Sequence, residues 1–314
     1  MRPSSTGLAL AVLSAATFGT SGTFAAALMA AGWSPAAAVA TRIGVAAAML
    51  TLPALLQLRG RWHLLRRNLP AVAAYGLIAV AGCQLFYFNA VDHLSVGVAL
   101  LLEYSGTLLV VLWVWLRHGQ RPRRLTVLGA AAAIGGLALV LDLTGEQRVS
   151  FVGIVWGLLA AAGLAVYFVL SAHVDETLPP MVMAWAGMVI GTAALLTVGL
   201  CGGVPMHAST RDADFDGHRT SWVVPIIGLS LVAAVIAYSA GIGAARRLGA
   251  RLASFIGLAE VLFAVVVAWA FLGQQPDGLQ LAGGALVLVG IALVKADEDA
   301  ASEPAAEPEL AGAL

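Results

Sequence analysis

The 314-residue chain is 60% hydrophobic and only 11% charged, with a mean hydropathy of +0.91 and a formal net charge of zero. A soluble domain this apolar would expose more nonpolar surface than water tolerates, so the composition indicates an integral membrane protein. Alternating strands of about ten residues are absent, which argues against a transmembrane barrel. The two cysteines, Cys83 and Cys201, lie in different apolar segments and offer neither a disulfide framework nor a metal site.

The first apolar run, 7–29, follows Arg2 and superficially has the form of a secretory leader. It is longer than the roughly 7–15-residue core of such a leader, and it has a counterpart later in the chain, so it reads as the first span. A window of about 19 residues then places spans near 36–58, 70–90, 96–116, 125–142, 151–172, 180–201, 222–244, 251–272 and 278–295. Ten spans are therefore expected, most joined by short antiparallel connections. Lys and Arg set the orientation. With the N-terminus in the cytoplasm, one side collects thirteen of them, from Arg2 and Arg59 through Arg124 and Arg251 to Lys295. The other side keeps Arg148, Arg211 and Arg219. The positive-inside rule then puts both ends in the cytoplasm of a multi-pass cell-membrane protein. The longest connection, 202–221, carries Asp212, Asp214, Asp216 and Gly217 in the spacing that opens a calcium loop, but Val223 stands where the closing carboxylate belongs. It is expected to be a solvated loop. Residues 296–314, acidic and rich in Ala and Pro, are expected to be a disordered cytoplasmic tail.

The halves 1–148 and 149–295 repeat. Gly7 aligns with Gly153, Ala15-Ala16 with Ala161-Ala162, Ser34-Pro35 with Pro179-Pro180, Glu103 with Glu260 and Gly129 with Gly283. Five spans per half is an odd number, so the second copy enters the membrane from the opposite side. The fold expected is all-α, ten transmembrane helices in two inverted five-helix repeats, the plan of many secondary transporters.

The residues Phe86-Tyr87-Phe88-Asn89-Ala90-Val91 with Leu102-Glu103, and Leu252-Ala253-Ser254 with Ala259-Glu260, resemble the EamA-type branch of the drug/metabolite transporter superfamily. Ala15-Ala16-Thr17-Phe18-Gly19 and Thr41-Arg42 are similar to it as well, and the likeness covers about residues 7–295. The resemblance implies ten helices, two inverted repeats and export of small metabolites such as amino acids. Two departures stand out. The proline usual after the glutamate is Tyr104 in one half and Val261 in the other, and the Gly-Glu that closes this helix is His118-Gly119 and Gly273-Gln274.

Charges inside spans are the natural candidates for function, since each costs about 2.5–3.5 kcal/mol on insertion scales. Glu103 lies seven residues past Val96 and Arg42 seven past Pro35, so both sit ~10 Å deep at 1.5 Å per residue. Equal depth indicates a pair. One reading is a structural ion pair; the other gives a substrate carboxylate to Arg42 and an amine or proton to Glu103. Glu260 has Gly187 at the repeat position of Arg42, hence no evident cationic partner, and is a candidate for proton coupling alongside Glu103. Helical spacing adds Thr17, Ser21, Gln84, Tyr87, Thr107, Trp185 and Tyr238 as candidate substrate-binding residues, each open to the plainer reading of packing between helices.

Phosphate-loop, zinc-ligand and nucleophile-elbow patterns are missing, so neither an enzyme nor a cofactor is expected. The basic loops follow from topology and do not imply nucleic acid. The expected partners are a small-molecule substrate and membrane lipid, in a monomer or homodimer. The rivals are an exporter of cationic drugs or toxic compounds, and a non-transporting membrane sensor or assembly subunit.

Overall fold

Proline and serine set where several helices begin. Pro35 fixes the first turn of one helix while the Ser34 hydroxyl accepts from Ala37 N at 3.3 Å, and Ser150 caps Gly153 N in the same way at 3.4 Å. The computed structural model describes residues 5–91, 93, 96–119, 121–140, 150–174, 177–215, 217–272 and 275–302. Arg2, Arg148, Asp216, Gly273, Gln274 and 303–314 lie outside the described residues.

The first half consists of α1 Ser5–Gly19, α2 Ser21–Ala30, α3 Pro35–Leu58, α4 Trp62–Ala74, a π-helical segment Tyr75–Gly82, α5 Cys83–Val91, α6 Val96–Tyr104, α7 Gly106–His118 and α8 Arg124–Val140. The second consists of α9 Phe151–His173, α10 Pro180–Leu200, strands β1 Ala213–Phe215 and β2 His218–Thr220, and α11 Val223–Ile227. A second π-helical segment Gly228–Ile236 follows, then α12 Ala237–Gly257, α13 Ala259–Leu272 and α14 Gly278–Ser302. Both π segments fall in the third long helix of their half. Among the described residues eight helical stretches are long and apolar enough to cross a membrane, and two shorter apolar helices, Arg124–Val140 and Ala259–Phe271, accompany them. The stretch Val223–Gly257 is bent at Gly249, whose φ of +79° a side chain would resist.

Glycine lets the backbones meet. A Cβ added at Gly129 would stand 2.8 Å from the Gly290 carbonyl oxygen, and one at Gly290 would stand 2.6 Å from that of Gly129. Gly136 and Gly283 do the same at 2.6 and 2.7 Å. The contacts are reciprocal, Gly129 with Gly290 and Gly136 with Gly283, so α8 and α14 meet through two glycines each. Around this pair the bundle packs α1 on α12, α3 on α10 and α5 on α9.

One expectation from sequence changes here. The segment 296–302, assigned above to the tail, continues α14: Asp297 is buried and accepts from the Thr126 hydroxyl at 2.5 Å, while Lys295 bonds Asp299 at 2.8 Å. Composition alone hid this, because a carboxylate with a buried hydroxyl partner does not need water. The connection 202–221 is exposed along most of its described length, as a solvated loop is expected to be, and it also carries a short hairpin. Its strands pair Ala213 with Thr220 and Phe215 with His218, Phe215 meets Phe24 edge-on at 6.0 Å, and Asp214 accepts from Gly217 N at 2.7 Å. The loop also docks on the 31–34 turn, where Trp33 Nε1 donates to the Ser209 carbonyl at 2.6 Å and Ser34 N to that of His207 at 2.8 Å.

The glycine contacts are testable. Gly136→Ala should lower the thermal midpoint in detergent, by about 1–3 kcal/mol of stability for an overpacked core. The neighbouring Gly135→Ala, whose Cβ would meet only Leu286 Cδ2 at 3.9 Å, should leave it unchanged or slightly raised.

Candidate functional site

Three helices are interrupted near their middles, and the interruptions carry the polar residues inward. Between α1 and α2, the Thr20 hydroxyl donates to the Thr17 carbonyl at 2.7 Å, and the Thr17 hydroxyl donates to Leu13 O at 2.7 Å. Between α6 and α7, the Ser105 hydroxyl donates to Leu102 O at 2.5 Å and that of Thr107 to Tyr104 O at 3.0 Å. Between α12 and α13, Leu258 N donates to Phe255 O at 3.1 Å. Discontinuous helices of this kind are tolerated in apolar surroundings where hydroxyls take up the loosened carbonyls.

The interruptions surround a cavity of about 520 Å³. Arg42, Glu103 and Glu260 line it, with Ser21, Gln84, Tyr87 and Tyr238. It reaches Met29 and Pro35 at the end of the bundle that bears the 31–34 turn. At the opposite end α1 closes on α12, where a Cβ at Gly7 would meet Leu248 Cδ2 at 2.9 Å. Of the residues proposed from sequence, Thr17, Thr107 and Trp185 do not line this cavity. Thr17 and Thr107 serve the helix interruptions, and Trp185 Nε1 donates to the Thr51 hydroxyl at 3.0 Å between α10 and α3.

Arg42 is 5% exposed. Its Nη2 donates to the Ala233 carbonyl at 2.6 Å, its Nη1 to the Ser21 hydroxyl at 3.1 Å, and its guanidinium carbon stands 5.9 Å from the centroid of Phe18. Ala233 sits in the second π segment, just before α12, where the change of helical pitch leaves backbone carbonyls open to side-chain donors. Ser14 serves the next such carbonyl, donating to Ala237 O at 2.9 Å. No ion pair joins Arg42 to Glu103 among the described residues, so the expected pair is corrected. Glu260, on α13, lines the same cavity as Arg42. Equal depth on two helices does not fix the direction each side chain takes, and Glu103 is turned toward α5 and α9.

There Cys83 Sγ lies 3.3 Å from Glu103 Oε1 and 3.4 Å from the Ala160 carbonyl. Cys83 is a free, buried thiol in contact with Glu103. It follows directly on the first π segment, and sequence gives no sign of that register shift. Tyr104, which replaces the proline of the resembled family, brings its hydroxyl within reach of Glu260 across the cavity. Its place beside Glu103 was visible in the sequence, its direction was not. Tyr167 and Phe18 complete an aromatic wall, with Phe18 4.9 Å from Tyr238 and Tyr167 5.8 Å from it.

The family profile described as "EamA-like transporter family" matches residues 5–142 and again 151–296. A protein of Archaeoglobus fulgidus named an uncharacterized transporter is 27% identical over 225 residues, which is 72% of this chain and 75% of that one. A probable terminal-alkyne amino-acid exporter of Streptantibioticus cattleyicolor is 27% identical over 232 residues, 73% of each chain. A protein of known crystal structure, 22% identical, superposes with a TM-score of 0.73 over 95% of this chain and 99% of its own, which shows the shared fold.

The geometry at Arg42 gives a stability expectation. Arg42→Met should cost about 2–3 kcal/mol, because it strands the buried Ala233 carbonyl. The charge-swapped Arg42→Glu/Glu103→Arg chain should regain none of it, and a thermal midpoint restored by the swap would contradict the hydrogen bonding described here.

Proposed function

The chain belongs to the EamA-like transporter family, and on that premise we propose that it is a secondary transporter exporting an amino acid or related metabolite by alternating access. In this reading it has ten spans in two inverted five-helix halves, sits in a cell membrane, and keeps both ends in the cytoplasm. The observation that carries the proposal is the meeting of repeat-equivalent Glu103 and Glu260, one from each half, with Arg42 in one cavity. The reciprocal glycine contacts of α8 and α14 support the two-fold relation of the halves. The excess of Lys and Arg on one set of loops supports the orientation.

The chemistry follows from the charges. An amino acid brings a carboxylate and an ammonium. Arg42 lines the cavity and supplies the positive charge for the carboxylate, while its Nε is buried and finds no hydrogen-bond partner among the described residues. Glu103 and Glu260 face the ammonium. When the substrate leaves, two carboxylates remain near one another in apolar surroundings, and taking up a proton relieves their repulsion. Exchange of substrate for proton would then drive the cycle. The relative named as an amino-acid exporter supports this substrate class.

One observation favours the rival, an exporter of cationic compounds. Both terminal nitrogens of Arg42 are already engaged by Ala233 and Ser21, which leaves two carboxylates facing a single partly occupied guanidinium. Proteoliposomes carrying an imposed pH gradient separate the readings. Wild-type protein should move a neutral amino acid, Glu260→Gln should lower that flux at least tenfold, and unchanged flux would reject Glu260 as the coupling group. Flux of a quaternary ammonium that persists in Arg42→Gln, without amino-acid flux in wild type, would decide for the rival.

A further inference from the structure

Beneath the cavity, on the side of the bundle that bears Leu178 and Pro179, the core holds a group of buried hydroxyls. The hydroxyls of Tyr75, Tyr167 and Ser171 find no hydrogen-bond partner among the described residues. Tyr75 and Ser171 are fully buried and Tyr167 is 6% exposed. Tyr167 and Ser171 lie one turn apart on the same face of α9. The Tyr75 ring stands 5.9 Å from that of Tyr167, and its hydroxyl lies beside Ser171 without hydrogen-bonding geometry. Tyr167 also lines the cavity, so the group begins where the cavity ends. At its far end Arg246 donates to the Leu178 carbonyl and approaches Met183 Sδ at 3.6 Å, tying α12 to the start of α10.

The Tyr167 hydroxyl likewise lies beside that of Ser14 without hydrogen-bonding geometry, and hydroxyls buried in an apolar core without well-formed hydrogen bonds are costly, since each has lost its water. Phe at 75 and Ala at 171 would fill the same space without that loss. The cost is accounted for when a second state of the protein satisfies the groups, as strain kept at functional positions is. The closed end is also the one where the glycine of Gly187 lets the Tyr75 ring lie against α10, its would-be Cβ only 2.6 Å from Tyr75 Cδ1.

We propose that Tyr75, Tyr167 and Ser171 form a second binding site for the hydrated polar group of the substrate, shut in this structure and opened when the bundle parts at the end that bears Leu178 and Pro179. Arg246 stands at its exit and holds α10 and α12 together while it is shut. The proposal rests on the transport reading, and it assigns the residues of the half-route that the open cavity does not reach.

Two substitutions test it. Tyr75→Phe and Ser171→Ala should each raise the thermal midpoint of the purified protein while lowering flux at least fivefold, a combination that a purely structural hydroxyl does not give. A lowered midpoint, or unchanged flux, overturns the proposal. Ser171→Cys adds a readout independent of flux. A charged methanethiosulfonate reagent, applied to each side of sealed vesicles, should label it only from the side that bears Leu178 and Pro179, above the wild-type background of Cys83 and Cys201. If wild type moves no solute, the transport reading fails while the labelling still decides whether the site opens. Absence of labelling from that side overturns the proposal.

Discussion

A guanidinium and two carboxylates inside an apolar bundle are the constraint on which the rest depends. Each charge needs hydrogen bonds or a neutralising neighbour in a medium that supplies neither. The chain meets the need for Arg42 by changing the backbone. A π-helical segment in the helix before α12 presents the Ala233 carbonyl, and the interruption of the first helix presents the Ser21 hydroxyl. Three elements, α2, α3 and the π segment, are thereby joined at one side chain. That junction forms one wall of the cavity.

The other wall is built by close approach. Gly106 lies so near the Ala161 carbonyl of α9 that no larger residue fits, and a Cβ at Gly163 would meet Cys83 Cβ at 2.8 Å. These contacts draw α5, α6 and α7 onto α9 and place Cys83 against Glu103. With Arg42 on one wall and Glu103 on the other, Glu260 on α13 lines the same cavity. Among the described residues the opposite charges line one cavity without forming an ion pair.

The membrane class, the repeat and the two glutamates were legible in the sequence because hydropathy and spacing encode depth. Glu103, Glu260, Arg42, Ser21, Gln84, Tyr87 and Tyr238 do meet at one cavity. What depth does not encode is rotation about the helix axis. Arg42 and Glu103 share a depth and still face different neighbours. The hydroxyls of Thr17 and Thr107 satisfy the requirement for internal bonding at interrupted helices, a demand that spacing cannot distinguish from substrate contact. The π segments shift every following residue around the helix, and local propensity gives no warning of them. Asp297 was hidden for a different reason: its burial depends on Thr126, which is distant in sequence and arrives only with the packing of α8 on α14.

The central claim is that this cavity holds a substrate between Arg42 and the two glutamates. Titration calorimetry of the purified protein with a neutral amino acid, in buffers of different ionisation enthalpy, tests it most directly because it counts protons exchanged on binding. Wild type should bind with release of protons, and the Glu103→Gln/Glu260→Gln chain, folded as judged by circular dichroism, should bind at least tenfold more weakly and release none. Binding of equal strength and equal proton count in the two proteins would contradict the account.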